Sequence, residues 1–225
     1  LDSKIKPVTI QRKISEYNDK ELREGYSSAS AIRHIIQTSG IESITNQVPS
    51  VAFSLLYEAY EKQYPIYCND FSLLLKYRLL NESKESVISF ADVSEDLANR
   101  IYNKINQFES FKQFCELLKT KELTYTRISR ALLHIMLEIK KENILEIEYA
   151  RILGFCKKDV EVFSQIKKCT AIPLVSKLSA TNEFSDKAKQ MLDVEIKISH
   201  IYNSVMTEKF KTVFINEYEH PIVRI

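Results

Sequence analysis

Between Thr124 and Ile139 the residues Ile128, Ala131, Leu132, Ile135 and Ile139 recur at the spacing of one face of an α-helix. An apolar stripe this continuous must be covered by other elements, so it commits the chain to a helical core assembled around it. Thr124 stands where an N-cap hydroxyl is wanted. Arg127, Arg130 and His134 fall together on another face, because residues three and four apart are neighbours on a helix. Just upstream, Lys119 and Lys121 bracket Thr120, and Tyr125 adds a flat ring with a hydroxyl. Cations interleaved with a ring and hydroxyls suit a phosphate backbone with exposed bases, where charge supplies affinity and stacking supplies grip. The same residues also make an ordinary solvated helix face.

The flanking sequence supplies partners for that stripe. Phe71, Leu74, Leu75, Leu79 and Leu80 are expected to pack inward from one helix, with Asn69 or Asp70 as its cap and Lys76 and Arg78 reaching phosphate or water. Val93 to Asn106 and Ser110 to Lys119 read as two more amphipathic helices. Glu148 to Phe155 and Ile172 to Leu178 are strand-like and enclose a helical pattern through Val160, Phe163 and Ile166, which together predict a small βαβ unit with parallel strands. Lys157 and Lys158 open that helix, where their charge opposes its dipole and favours an external anion. Phe184 to Met206 reads as a long helix presenting Ala188, Met191, Leu192, Val194, Ile198, Ile201 and Val205, and the tail to Ile225 as an extended cover strand.

Nearer the start, Val8 and Ile10 alternate with Thr9 and Gln11, which predicts a short strand over Ile5 to Lys13. Ser27-Ser28-Ala29-Ser30 then leads into an apolar helical run, with Arg33 about one turn in. Unpaired N–H groups and serine hydroxyls at a helix start can hold phosphate oxygens, with Arg33 supplying a fork; the pattern is equally that of a plain N-cap. Val48 to Tyr64 predicts a bridging helix traced by Val51, Leu55 and Ala59 with Phe53 and Leu56, with Pro49 in its first turn and Pro65 past its end.

Composition narrows the chemistry. With 32 basic and 30 acidic side chains the net charge is +2, so any nucleic-acid site must come from local clustering. Cys68, Cys115, Cys156 and Cys169 show neither a CxxC pair nor a zinc spacing, which favours reduced thiols in a cytoplasmic protein. The four histidines have no paired metal spacing; no HxGH, phosphate-binding glycine loop, HExxH or nucleophile elbow occurs, so no catalytic residue or metal ligand is assigned. No apolar run has the length of a membrane span. The chain opens at Leu1 in mid-pattern, as expected of a fragment or a processed chain.

Four blocks in register carry a resemblance. Lys119-Thr120-Lys121-Glu122-Leu123-Thr124-Tyr125-Thr126-Arg127-Ile128-Ser129-Arg130, Phe71 to Leu80 (FSLLLKYRLL), Arg151 to Lys158 (RILGFCKK) and Ser28 to Arg33 (SASAIR) resemble conserved stretches of the bacterial tRNA(Met) cytidine acetate ligases. These belong to the HxGH nucleotidylyltransferase superfamily. The departures are Ser30 for a usual threonine and Glu122 for a usual basic residue.

The resemblance implies an α+β, predominantly α-helical chain: the C-terminal part of an α/β nucleotidyltransferase domain over 1–46, then a mainly helical tRNA-binding domain with a small βαβ unit over 47–225. It implies ATP bound by Arg12, Ser28, Ser30 and Arg33, with Mg2+ held through the phosphates. It implies elongator tRNA(Met) on Lys119, Lys121, Tyr125, Arg127, Arg130, Lys157 and Lys158, and acetate as co-substrate. The HxGH half is expected upstream of Leu1, so the chain alone is not expected to complete adenylation. A cofactor-type nucleotidylyltransferase sharing the SASAIR turn, and a non-catalytic helical interaction module, are the other two readings.

Overall fold

A computed structural model describes residues 6–11, 19–25, 27–143, 147–178 and 184–224. Its helices are α1 (Ala29–Ser39), α2 (Ser50–Ala59), α3 (Ser72–Leu80), α4 (Lys84–Ile88), α5 (Glu95–Lys104), α6 (Phe111–Leu118), α7 (Tyr125–Met136), α8 (Val160–Cys169) and α9 (Asp186–Phe210). The strands are two residues each: β1 (Ala150–Arg151), β2 (Gly154–Phe155), β3 (Leu174–Val175) and β4 (Val223–Arg224). The chain is therefore predominantly helical with a minor β component, as the sequence implied.

Two compact units divide at Pro65, Leu1–Pro65 and Ile66–Ile225, rather than after residue 46. The boundary moves because α2 packs Phe53 and Leu56 against Ile36, Ile41 and Ile44 of the first unit. Of the other apolar positions that trace this helix, Val51 and Leu55 are 73% and 65% exposed. In the same unit, α1 starts at Ser28, whose hydroxyl accepts from the Ala31 N–H at 3.0 Å. It ends at Gly40, whose φ of +84° most side chains resist. The strand expected over Ile5 to Lys13 is not formed over residues 6–11, where Val8 and Ile10 are 85% and 92% exposed. Alternation alone makes no strand without a neighbour to pair with.

In the second unit the stripe on α7 is the centre of the core. Ile128, Ala131, Leu132 and Ile135 are fully buried among Leu75 and Leu79 of α3, Leu97 and Ile101 of α5, and Phe111, Phe114 and Leu118 of α6. Ser94, Ser110 and Thr124 cap α5, α6 and α7 by accepting from the N–H groups of Leu97, Gln113 and Arg127. The helix stops one turn before Ile139, at a left-handed Glu138 (φ +60°). Ile139 then donates its N–H to the His134 carbonyl and accepts from Ala91.

On α3 the expected inward residues Leu74 and Leu80 lie outside the core, Leu80 being 62% exposed. Lys76 and Arg78 are used inside the fold: Lys76 Nζ donates to the Phe108 carbonyl at 3.1 Å, and Arg78 pairs with Glu82 and Glu138.

The βαβ unit forms with β1 and β3 parallel, Ala150 opposite Leu174 and Arg151 opposite Val175. The tail does cover, through β4 alongside β2 in parallel. Gly154 permits that approach, since a Cβ there would sit 2.9 Å from the Val223 carbonyl oxygen. Helix α8 forms where the periodicity through Val160, Phe163 and Ile166 placed it; Phe163 is stacked on Phe155 at 5.7 Å, whereas Val160 and Ile166 are half exposed.

Helix α9 buries Ala188, Leu192 and Val205 of its predicted face, while Val194 and Ile198 are each 37% exposed. Glu195 and Ser199 face a polar network instead. Arg151 donates to Glu195 at 2.9 Å and to Glu217 at 2.6 Å, Tyr149 donates to Glu195 at 2.6 Å, and Ser199 donates to Glu217. Burial alone would raise the pKa of Glu217, but the hydrogen bonds from Ser199 and Arg151 outweigh it and hold the carboxyl below its usual range. A depressed carboxylate stabilises the fold above its unfolded pKa of about 4.3, and that contribution is lost as pH falls through the lower folded value. Acidification below about pH 4 is therefore expected to release the tail, read as new proteolytic clipping near residues 217–224. Glu217→Gln should flatten that acid dependence.

Candidate phosphate turn and nucleic-acid interface

In the first unit, Ser28 is buried and committed to the fold. Besides capping Ala31 it donates to the Asp19 carbonyl at 3.1 Å, so its hydroxyl is not aimed at a ligand. What the turn offers outward is the N–H groups of Ala29 and Ser30, the half-buried Ser30 side chain and exposed Arg33. The first turn of α1 has no acidic residue to satisfy those groups. Arg33 has no ion pair with a carboxylate among the described residues; its charge acts on Tyr64, opposing the rise that burial imposes on that hydroxyl. Such a turn can accept an oxyanion. Arg12 lies outside the described residues.

In the second unit, α7 carries Arg127, Arg130 and His134 on one side, and all three lie close enough to Asp92 to lower its pKa. The Arg130 hydrogen bond is the largest cause. Arg130 is 62% exposed yet not free: its Nε and Nη2 donate to the two Asp92 oxygens at 2.6 and 2.9 Å. His134 Nδ1 lies 3.1 Å from Asp92 Oδ2 and 3.2 Å from the Ala91 carbonyl. Facing two acceptors, that nitrogen carries the proton. Arg127 is exposed and has no carboxylate within ion-pair distance among the described residues.

The loop before α7 is closed by Thr120, whose N–H and hydroxyl both bond Leu123. It presents Lys121, exposed and without an ion pair among the described residues, and Lys119, which reaches Glu116 at 3.3 Å. Tyr125, expected as a stacking platform, is half-buried. Its ring packs against the core, and burial pushes its hydroxyl up to about 12, with the Cys115 thiol beside it. Burial likewise pushes the Cys115 thiol up to about 12. Cys115 should resist alkylation at pH 8 until the protein unfolds, while exposed Cys68 and Cys169 react at once in a timed thiol-labelling assay.

Lys157 and Lys158 are exposed on the single turn before α8. No hydrogen bond or ion pair among the described residues joins them to the arginine helix. Around α7, Lys121 and Arg127 are exposed without an ion pair among the described residues, as Lys157 and Lys158 are before α8. Asp92, which sequence reasoning missed, organises Arg130. Its only signal was a lone acid inside the apolar run Phe90-Ala91-Asp92-Val93. Among the described residues no group of three or more His, Cys, Asp or Glu could hold a metal, and no helix is long and apolar enough to cross a membrane.

Comparison with known proteins agrees with this architecture. Residues 1–216 match the family described as HIGH Nucleotidyl Transferase. The chain is 30% identical to the tRNA(Met) cytidine acetate ligase of Caldanaerobacter subterraneus over 100% of its length and 56% of that protein. It is 34% identical to the same-named protein of Bacillus subtilis over 98% of its length and 54% of the relative. It thus spans about half the length of the curated relatives it matches. The crystal structure of apo Thermotoga maritima TmcAL superposes with a TM-score of 0.86 at 23% identity, covering 96% of this chain and 55% of that one, which shows a shared fold. A second form, bound with alpha-thio ATP, gives a TM-score of 0.79. With the family match running through nearly all of its residues, the chain belongs to the HIGH nucleotidyl transferase family.

Proposed function

We propose that this chain is part of an ATP-dependent tRNA(Met) cytidine acetate ligase, its first unit taking the nucleotide's phosphates and its second the tRNA. The observation that carries this reading is the run of relatives of that name at 30–34% identity along essentially the whole chain. In the reaction, an acetate oxygen attacks the α-phosphate of ATP and pyrophosphate leaves. The exocyclic amine of the wobble cytidine then attacks the acetyl carbon; a C–N bond forms, AMP departs and the amine sheds a proton. Both steps are governed by positioning and by neutralising phosphate charge.

The start of α1 supports the phosphate role through the Ala29 and Ser30 N–H groups, the Ser30 hydroxyl and Arg33, with Arg12 expected to join them. Ser28 serves by holding the turn rather than by touching the nucleotide. Mg2+ is expected to accompany the ATP phosphates, neutralising part of their charge. Lys121 and Arg127 take backbone phosphates, with Lys119, Lys157 and Lys158 at the margin. Cytoplasmic location follows from the tRNA substrate.

The test is ATP consumption by the intact protein. Acetate with unmodified elongator tRNA(Met) should release pyrophosphate and yield N4-acetylcytidine, whereas phosphopantetheine or nicotinate mononucleotide should not. Turnover with the small phosphorylated molecules alone would replace this reading with the cofactor-type one.

A further inference from the structure

Resting on the RNA-binding reading, we infer that Asp92 is a positioning residue that turns Arg130 into a reader of guanine in the bound RNA rather than a clamp on its phosphates. Asp92 engages the guanidinium side-on, through Nε and Nη2. The end-on edge remains, with parallel N–H donors from Nη1 and Nη2 directed away from the carboxylate, on a side chain that is 62% exposed. A fork of that shape matches two adjacent acceptors, either the oxygens of a phosphate or the O6 and N7 of guanine.

Charge decides between them. The Asp92 carboxylate offsets the guanidinium charge and repels a phosphate approaching the same group, while an uncharged base edge meets no such repulsion. Arg127 and Lys121 carry no such partner among the described residues and suit phosphates instead.

The carboxylate is itself held in place. Asp92 has φ +60° and sits between Ala91 and Val93, which are 1% and 2% exposed. The Ala91 N–H is tied to the Ile139 carbonyl at 2.9 Å, and His134 Nδ1 lies 3.1 Å from Asp92 Oδ2. A fork fixed this way loses little side-chain freedom when it meets a base, which is what discrimination requires. Splayed bases in single-stranded RNA expose the necessary edge.

The test compares elongator tRNA(Met) transcripts made with guanosine or with 7-deazaguanosine, which lacks the N7 acceptor, on the intact protein. The wild type should bind the deaza transcript about 5- to 100-fold more weakly, as expected for one lost base fork. Arg130→Lys should bind both transcripts equally. Asp92→Asn, whose amide tolerates the left-handed backbone, should lose most of the discrimination. It should also steepen the salt dependence of binding by about one counterion, because the charge of Arg130 is unmasked. A merely structural Asp92 would not raise that slope. If Arg130→Lys and wild type lose equally on the deaza transcript while binding stays salt-dependent, the base-reading inference is overturned and the RNA reading stands. If neither transcript binds at all, both fall.

Discussion

Phe114→Ala is expected to destabilise the helical unit by about 3–5 kcal/mol, as large-to-small changes in sealed cores do. Phe114 is fully buried beneath α7 and packs on Phe108 with ring centroids 4.8 Å apart. The substitution therefore removes an aromatic pair as well as volume. The cavity lies among Phe111, Leu118, Ile128 and Leu132, side chains anchored on several helices, so collapse around it is limited. Against a usual domain stability of about 5–15 kcal/mol this is a large fraction. The melting temperature read by circular dichroism should fall by roughly 6–20 °C. Leu80→Ala, at a position 62% exposed, is the comparison and should move it little. A Phe114→Ala protein melting within a degree of wild type would mean that α5, α6 and α7 do not share one core.

What the sequence made readable divides along physical lines. The α7 stripe, its Thr124 cap, helices α5 and α6 and the parallel pairing of β1 with β3 all follow from local periodicity, and each formed. The faces of α3 and α9 were legible only in part: Leu75, Leu79, Ala188, Leu192 and Val205 are buried, while Leu74, Leu80, Val194 and Ile198 are not, because helices with apolar residues on more than one side allow more than one inward orientation. The choice is made by distant partners: on α9, Arg151 and Glu217 draw Glu195 and Ser199 inward and turn Val194 and Ile198 out. The strand expected near Val8 had the right alternation but no pairing neighbour.

At the candidate site, the clustering of Arg127 with Arg130 was legible as helical spacing, while the carboxylate that pairs with Arg130 was not. Asp92 comes from a turn 38 residues earlier in the chain, and nothing periodic links the two. Tyr125 likewise reads as a surface ring in a cationic segment until the core beneath it is known.

Lys121→Glu with Arg127→Glu is expected to weaken tRNA binding by about a hundredfold or more at physiological salt, and to lower the salt slope by roughly two. These cations are the informative pair because neither has a carboxylate within ion-pair distance among the described residues, which leaves their charge largely available to phosphates. Reversing Arg130 instead would set a glutamate against Asp92, and lost binding could then reflect a disturbed turn between α4 and α5 rather than a lost contact. Both chosen side chains are exposed and uninvolved in the core, so the melting temperature should stay near that of wild type. That combination separates an RNA surface from a solvated helix face: unchanged affinity in a well-folded double variant, measured at two salt concentrations, would leave the arginine face of α7 with no nucleic acid to hold.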